Sequence, residues 1–327
     1  MEKDAAIVVT GACGFIGSCM VRHLNNLGMT NLILVDDFGS SYKWKNLLYK
    51  RFKQVLGIGD LFSWLQGRES EVQAFIHLGA CCDTLETRVD YLLEQNTRYT
   101  IRLAEYALKH GQRFIYASSA ATYGDGSRGF SDDHRALQEL VPLNPYGYSK
   151  HLIDLWALEQ GVIEQIVGLK YFNVYGPNEW HKDNMASMIC KVFPKVQKEG
   201  IIRLYKSTSP EKFADGGQCR DFIYVKDAVE MTAVFLENGK GGIYNIGSGE
   251  PSTWNRLASA LFAALEFPCR IEYVDMPDTL ASQYQNYTCA DMRKFDETWG
   301  SKMRARYSLE TAVRDYVEAH LMRGITW

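Results

Sequence analysis

The segment between Ala5 and Asp37 constrains the fold of this chain more than any other. A β-branched run at 5–10 stops at a glycine, and glycines then recur at every third position ahead of a helical apolar stripe. Glycines at this spacing let the backbone turn sharply, approach a pyrophosphate and pack a helix against a strand. A second apolar run at 32–35 ends in two acids, where a carboxylate can accept hydrogen bonds from both ribose hydroxyls of an adenosine. The segment predicts a βαβ unit whose dinucleotide contacts are Gly11, Cys13, Gly14, Phe15, Ile16, Gly17, Asp36 and Asp37.

Strand-like and helical patterns continue to alternate along most of the chain. Continuous apolar strands separated by helices are typical of a parallel sheet that is covered on both faces. We therefore predict an α/β fold, a Rossmann doubly wound parallel sheet of about seven strands with ligands at the carboxyl ends of the strands. After the first two, the predicted strands of this sheet are 54–58, 74–78, 113–117, 165–172 and 242–247.

The alternation weakens beyond Pro177, which indicates a second, smaller α/β unit for the substrate, interleaved with the first toward the C-terminus. Within it, 207–218 is predicted to be a loop because it holds proline and glycine. The predicted division is a dinucleotide-binding domain at 1–175 with a returning segment near 220–247, and a substrate domain at 176–219 and 248–327.

Composition excludes several classes of function. The chain has 327 residues, 46% hydrophobic and 23% charged, with a net charge of −3 and a pI near 6.2, so neither nucleic acid nor an anionic membrane is an expected partner. No apolar run approaches the roughly 18 residues that span a bilayer, and we predict a cytoplasmic protein. The 8 cysteines show no metal-binding spacing, so no metal site is predicted.

The stretch from Asn144 to Lys150 carries the candidate proton chemistry. Asn144 is a suitable N-cap and Pro145 a suitable first helical residue, which places Tyr146 in the first turn of a helix. Residues four apart share a helix face, so the Lys150 ammonium would lie beside the Tyr146 phenol. A tyrosine titrates near about pH 10, and a neighbouring cation favours its phenolate. The pair is therefore a candidate acid/base group.

Three patterns together resemble the extended short-chain dehydrogenase/reductase family over essentially the whole chain. They are Gly11-x-x-Gly14-x-x-Gly17, Ser118-Ser119 and Tyr146-x-x-x-Lys150, in the order and spacing of that family. Within the family, the segments 116–124, 170–177 and 181–187 are similar to those of epimerases that act on C6″ of an ADP-bound heptose, for the inner core of lipopolysaccharide. The resemblance implies a bound nicotinamide cofactor, an ADP-heptose substrate and a homo-oligomer.

The resemblance also implies roles for individual residues. Ser119 matches the catalytic serine and Tyr146 the acid/base tyrosine, while Lys150 matches the lysine that binds the nicotinamide ribose and lowers the tyrosine pKa. Lys182 matches a second acid/base group, with a plain surface lysine as the alternative. Arg220 matches a residue at the substrate diphosphate, unless it forms a surface ion pair with its neighbour Asp221. The other positions implied at the cofactor are Lys43 and Asn96, and those at the substrate are Asn173, His181 and Tyr284.

The chemistry of such an epimerase explains these residue types. Inverting an unactivated alcohol carbon requires a hydride to be removed to the nicotinamide, the ketone to present its other face, and the hydride to return. A base on one face and an acid on the other suit this reaction better than one group. Tyr146 and Lys182 are the candidates, with Ser119 hydrogen-bonded to the reacting oxygen.

Alternatives remain open at this stage. Sugar-nucleotide dehydratases of the family carry an Asp-Glu pair where this chain has Ala120-Ala121, which argues against dehydration. A UDP-sugar 4-epimerase shares the serine, tyrosine and lysine, and a non-catalytic nucleotide-binding protein could keep the same fold. NADP is the expected cofactor, with Lys43 at its 2′-phosphate, but the two acids Asp36 and Asp37 would favour NAD.

Overall fold

A computed structural model describes residues 3–237, 239–281 and 284–327 of the chain. Its strands are β1 (Ala6–Thr10), β2 (Leu32–Val35), β3 (Gln54–Leu56), β4 (Val72–His77), β5 (Arg113–Ser119), β6 (Val167–Tyr171), β7 (Asn173–Tyr175), β8 (Ile202–Tyr205), β9 (Cys219–Tyr224), β10 (Gly242–Ile246), β11 (Pro251–Thr253) and β12 (Ile271–Val274). Its α-helices are α1 (Phe15–Asn26), α2 (Leu61–Leu65), α3 (Val89–Leu92), α4 (Tyr99–Lys109), α5 (Pro145–Glu159), α6 (Met188–Glu199), α7 (Val225–Ala233), α8 (Trp254–Ala264), α9 (Asp278–Ala281), α10 (Arg293–Trp299) and α11 (Leu309–Asp315).

Seven strands form one parallel sheet in the order β10-β6-β5-β4-β1-β2-β3. Every neighbouring pair in it is parallel, and β1, β2, β6 and β10 are buried along their whole length. Parallel strands need covering on both faces, and the intervening helices supply it. The predicted doubly wound sheet of about seven strands is therefore confirmed, including the late strand at its edge.

Two smaller sheets lie outside the large one. One has the order β11-β9-β7, and the other pairs β8 with β12 in parallel. The chain leaves the large sheet after β6, forms β7, β8 and β9, returns to the large sheet at β10, and then adds β11 and β12 to the smaller sheets. The predicted domain boundaries stay a prediction.

Local details differ from the sequence-based expectations. The predicted strand 165–172 is the shorter β6, at Val167–Tyr171, and the residues just beyond it form β7, which belongs to a different sheet and pairs with β9. β9 itself was not predicted, since its sequence holds a charged pair. The helix α6 begins at Met188, because the Ser187 side chain caps it by accepting from the Cys190 amide.

Two long helical runs contain a local widening of the helical turn. The helical run that starts at Val89 continues to Lys109 but has π-helical geometry at Leu93–Arg98. The final helix is likewise π-helical at Tyr316–Leu321. Such π segments are frequent at functional sites. Across the described ranges, no helix combines the length and the apolar character needed to cross a membrane.

Candidate active site

A cavity of about 490 Å³ opens at the carboxyl ends of β1, β2 and β4. This is the edge at which doubly wound sheets bind ligands. The turn after β1, the acids after β2 and the loop after β4 all contribute to its wall. The predicted residues that line it are Gly11, Gly14, Phe15, Ile16, Gly17, Asp36, Asp37, Lys43, His181 and Lys182.

The glycines of the turn are required by close backbone contacts. Gly11 has φ +64°, and a Cβ there would lie 2.6 Å from the amide nitrogen of Gly79. A Cβ on Gly17 would lie 2.0 Å from the Gly11 carbonyl oxygen. Gly14 caps α1 without a side-chain hydrogen bond, so the first amides of that helix are available to phosphate oxygens. The turn thus has the shape of a pyrophosphate cradle.

The two acids after β2 have different surroundings. Asp36 is buried, and its carboxylate accepts hydrogen bonds from the Cys13 amide at 2.8 Å and from Lys43 Nζ at 2.7 Å. Asp37 also lines the cavity, but its Oδ1 accepts from the Ile58 amide at 3.0 Å. Asp36 is therefore the acid fixed against the glycine turn, and Lys43 balances its charge. Cys13 lies outside the cavity wall and contributes its backbone amide.

The helix α5 forms as its sequence predicts. Asn144 Oδ1 accepts from the Gly147 amide at 2.8 Å, and Tyr146 lies in the first turn. A Cβ on Gly147 would lie 2.7 Å from the Ala121 carbonyl oxygen, so α5 approaches the segment after β5 closely. Ser119 lies at the end of β5, where its Oγ accepts from the Ala121 amide at 3.1 Å. This close approach brings the serine and the tyrosine together.

Burial decides the proton affinities of the catalytic candidates. Burial raises the pKa of Tyr146 above its usual value, and a side-chain interaction with Ser119 opposes the rise. Lys150 is 2% exposed and donates to the Ala117 carbonyl at 2.8 Å, and burial lowers its pKa to about 8. Burial is thus the largest influence on the Tyr146 pKa, and the lowering of that pKa by Lys150 stays a prediction.

Cys81 and Cys82 connect the cavity wall with the tyrosine, and sequence reasoning missed them. Both line the cavity, and both act electrostatically on Tyr146. Tyr146, Ser119 and Lys150 are not among the cavity-lining residues. The position after the apolar strand β4 was the only signal in the sequence, since parallel strands end at one rim.

Asn96 has a different place from the one expected. It is fully buried and absent from the cavity wall. Its amide side chain accepts from the Cys81 amide at 2.8 Å, donates to the Cys81 carbonyl at 3.0 Å and donates to Ser149 Oγ at 3.0 Å. Ser149 Oγ in turn donates to the Tyr146 carbonyl at 2.7 Å. Asn96 therefore ties the cysteine loop to α5.

Lys182 and His181 lie in the cavity wall, on a short helical segment before α6. The Lys182 ammonium lies 5.4 Å from the ring centre of Phe15, the first residue of α1. His181 Nδ1 lies 3.3 Å from Asn46 Nδ2, and burial lowers the His181 pKa. Asp183, which follows Lys182, has a backbone φ of +45°, an unusual conformation for a residue other than glycine. Lys182 thus lies in the cavity wall beside the first turn of α1, and its acid/base role stays a prediction.

A second polar cluster lies on the β7–β9 sheet. Arg220 is 6% exposed, and its guanidinium lies 4.7 Å from the ring centre of Tyr284 and donates to the Cys219 carbonyl at 2.9 Å. Asn173 on β7 pairs in register with Phe222, two residues beyond Arg220, so both face the same side of the sheet.

The surface ion pair considered for Arg220 does not form. The carboxylate of the adjacent Asp221 accepts instead from Ser248, Gly249 and Ala290 at 2.7–2.9 Å. In the part of the chain that the structure describes, no carboxylate pairs with Arg220. A buried guanidinium with this little compensation is suited to an anionic ligand.

Comparisons with known proteins identify relatives of this chain. The model of the NAD dependent epimerase/dehydratase family matches residues 7–247. An ADP-L-glycero-D-manno-heptose-6-epimerase of Nitratidesulfovibrio vulgaris is 47% identical, with 96% of this chain and 97% of the relative covered. One of the same name from Fusobacterium nucleatum is 40% identical over 97% and 98% of the two chains. The crystal structure of the Helicobacter pylori enzyme of that name superposes with a TM-score of 0.81 at 26% identity, covering 97% and 96%.

Proposed function

The chain belongs to the NAD dependent epimerase/dehydratase family, and from that premise we propose that it inverts C6″ of ADP-D-glycero-D-manno-heptose to give the L-glycero epimer. Relatives with that name match nearly its full length at 47% and 40% identity. The observation that carries the proposal is the placement of Lys182 in the cavity wall beside the glycine turn, because this reaction needs a second proton-transfer group.

The cavity suits a nicotinamide dinucleotide. Its glycine turn leaves no room for a Cβ, its helix N-terminus offers amides to phosphates, and Asp36 stands where a ribose would be bound. When bound, the cofactor supplies reversible removal of a hydride from the sugar carbon. We propose NADP, with NAD possible: Lys43 balances the Asp36 charge and would meet a 2′-phosphate, whereas NAD would leave Lys43 paired with Asp36 alone.

Tyr146 and Lys182 would exchange protons with the substrate hydroxyl. Because its pKa is raised, Tyr146 holds its proton at neutral pH and is ready to act as the acid toward a ketone oxygen. Ser119 lies beside it and would hydrogen-bond that oxygen. Lys150 stays buried behind the tyrosine, where its charge would stabilise the phenolate once the proton has left. Lys182, on a separate segment, would serve the other face of the carbon.

Other residues define the substrate end. Arg220 would bind the diphosphate, with Tyr284 packed on its guanidinium and Asn173 on the same face. Ala120 and Ala121 follow Ser119 and offer no carboxyl group, so elimination of water across the sugar has no acid or base there. His181, held at Asn46, would position Lys182 and contact the substrate. A cytoplasmic homo-oligomer remains part of the proposal.

Incubation with ADP-D-glycero-β-D-manno-heptose, followed by proton NMR at C6″, tests this function. We expect a mixture of the two epimers, and no change with UDP-glucose under the same conditions. If ADP-heptose stays unchanged while UDP-glucose is converted to its C4 epimer, the 4-epimerase alternative is correct. If the cofactor binds and neither sugar nucleotide changes, the protein is a non-catalytic nucleotide-binding protein.

A further inference from the structure

A buried carboxylate lies directly beneath the proton-transfer residues. Asp154 follows Lys150 by one turn of α5 and is fully buried. Its Oδ1 accepts from the Tyr116 phenol at 2.8 Å, and its Oδ2 accepts from the Ser118 hydroxyl at 2.8 Å. Both donors lie on β5, the strand that ends at Ser119. Asp154 therefore links α5, which carries Tyr146 and Lys150, to β5, which ends at Ser119.

One buried ammonium group forms an ion pair with this carboxylate, and a second is stabilised by its charge from a greater distance. Lys170 Nζ lies 3.4 Å from Asp154 Oδ2, and neither side chain is exposed. Lys170 has a further acceptor, the Thr122 hydroxyl at 2.8 Å. Lys150 has the Ala117 carbonyl, and the largest favourable charge acting on it is that of Asp154. Since a buried ammonium without a countercharge tends to release its proton, the charge of Asp154 matters to both lysines.

The other titratable groups nearby do not replace Asp154. Burial lowers the pKa of His77 to about 3, so this residue is neutral, and burial raises the pKa of the Cys81 thiol. Near Lys170, burial raises the pKa of Asp132 to about 6, so this second carboxylate is still mostly ionised at neutral pH; its charge acts on Lys170, whereas the carboxylate that acts on Lys150 is Asp154. The groups facing Lys150 are Tyr146, His77, Cys81, Cys82 and Asp154, and those facing Lys170 are Asp132, His151, Tyr123, Lys294 and Asp154.

We propose that Asp154 is a positioning residue of the proton-transfer centre, which keeps Lys150 protonated through its own negative charge and fixes α5 against the strand that ends at Ser119. The inference rests on the proposed roles of Tyr146 and Lys150, and not on which sugar nucleotide is bound. Burial is the largest influence that holds the phenol in its neutral form, so a phenolate there needs a positive charge nearby, which is the role proposed for Lys150. Asp154 is absent from the cavity wall and acts through its neighbours, by its charge on Lys150 and by its hydrogen bonds to Tyr116 and Ser118.

The titration of Lys150 is the direct readout. Protein with isotope-labelled lysine is titrated by NMR with and without NADP, and the Lys150 signal is assigned by its loss in Lys150→Arg. In the wild type without cofactor the midpoint should lie near pH 8. In Asp154→Asn it should fall by about one to three pH units, and the alkaline limb of kcat/KM should move down with it, because the uncharged lysine then appears at lower pH. Tyr116→Phe and Ser118→Ala keep the carboxylate and should leave the midpoint near the wild-type value.

A double variant separates the two lysines. Asp154→Asn leaves Lys170 without its ion pair, whereas Asp154→Asn with Lys170→Met removes both charges and can be measured even if the single variant does not fold. The lowered Lys150 midpoint should persist in the double variant. A midpoint that returns to the wild-type value there, or that stays unchanged in folded Asp154→Asn, overturns the proposal. If the wild type fails to turn over ADP-heptose, the proposed function falls while the titration comparison still stands.

Discussion

Replacing Arg220 with methionine should separate stability from nucleotide binding. The guanidinium is 6% exposed, has one carbonyl acceptor and lies over the Tyr284 ring. A charge buried with so few partners costs free energy until an anion meets it. Methionine fills a similar volume without charge, so the free energy of unfolding of the ligand-free protein should stay the same or rise by about 1–2 kcal/mol.

The same variant should bind ADP much more weakly. Truncating one side of a buried charge pair costs about 2–4 kcal/mol, which corresponds to a Kd about 30- to 1000-fold higher. Titration calorimetry with ADP and thermal unfolding measure the two effects. Arg256→Met is the matched control, since Arg256 is bound to Glu310 at 2.8 Å on the exposed surface and should change either quantity by less than about 1 kcal/mol.

Either of two results would refute this reasoning. Unchanged ADP affinity in Arg220→Met would show that the guanidinium does not meet the diphosphate. A large loss of stability with normal affinity would show that Arg220 is a structural residue, held by Cys219 and Tyr284.

Three further predictions concern the cofactor cavity. Gly17→Ala places a Cβ 2.0 Å from a backbone carbonyl oxygen, so it should destabilise the fold by about 2 kcal/mol and weaken cofactor binding. Thermal unfolding and fluorescence titration with the cofactor measure the two effects. The control is Gly59→Ala, where a Cβ meets nothing within 4 Å. Lys182→Met should reduce kcat strongly while the cofactor stays bound, whereas the exposed Lys195→Met should have no effect; near-normal turnover would return Lys182 to a surface role. Lys43→Met should weaken NADP more than NAD by about tenfold or more, since a hydrogen bond to a charged group contributes about 1.5–3 kcal/mol; equal losses for both cofactors would contradict the assignment.

The parallel sheet could be predicted because its strands are buried on both faces. Strands of this kind have continuous apolar sequences, and the glycine spacing after β1 marks the turn independently of packing. The cap at Asn144 also acts locally, within one turn of helix. β9 escaped prediction because its charged pair is stabilised by distant partners: Asp221 is bound by the 248–249 and 290 backbone, which no sequence pattern brings together.

The sequence could predict which residue types form the site, but it could predict their burial and hydrogen bonds only in part. The direction of the Tyr146 pKa depends on burial, and burial depends on tertiary packing that no local sequence pattern specifies. Asn96 has a residue type suited to binding a ligand, yet its side chain is hydrogen-bonded to Cys81 and Ser149. Asp154 gave no signal in the sequence, because an acid one turn after a lysine is common on exposed helices.

Retention of deuterium at C6″ tests the central claim most directly. ADP-D-glycero-β-D-manno-heptose carrying deuterium at C6″ is incubated with the protein and its unlabelled cofactor in ordinary water, and both epimers are examined by NMR and mass spectrometry. The account predicts an L-glycero product that keeps its deuterium, since the hydrogen leaves and returns within one closed site. A product that has lost deuterium to solvent, or no product at all, would contradict it.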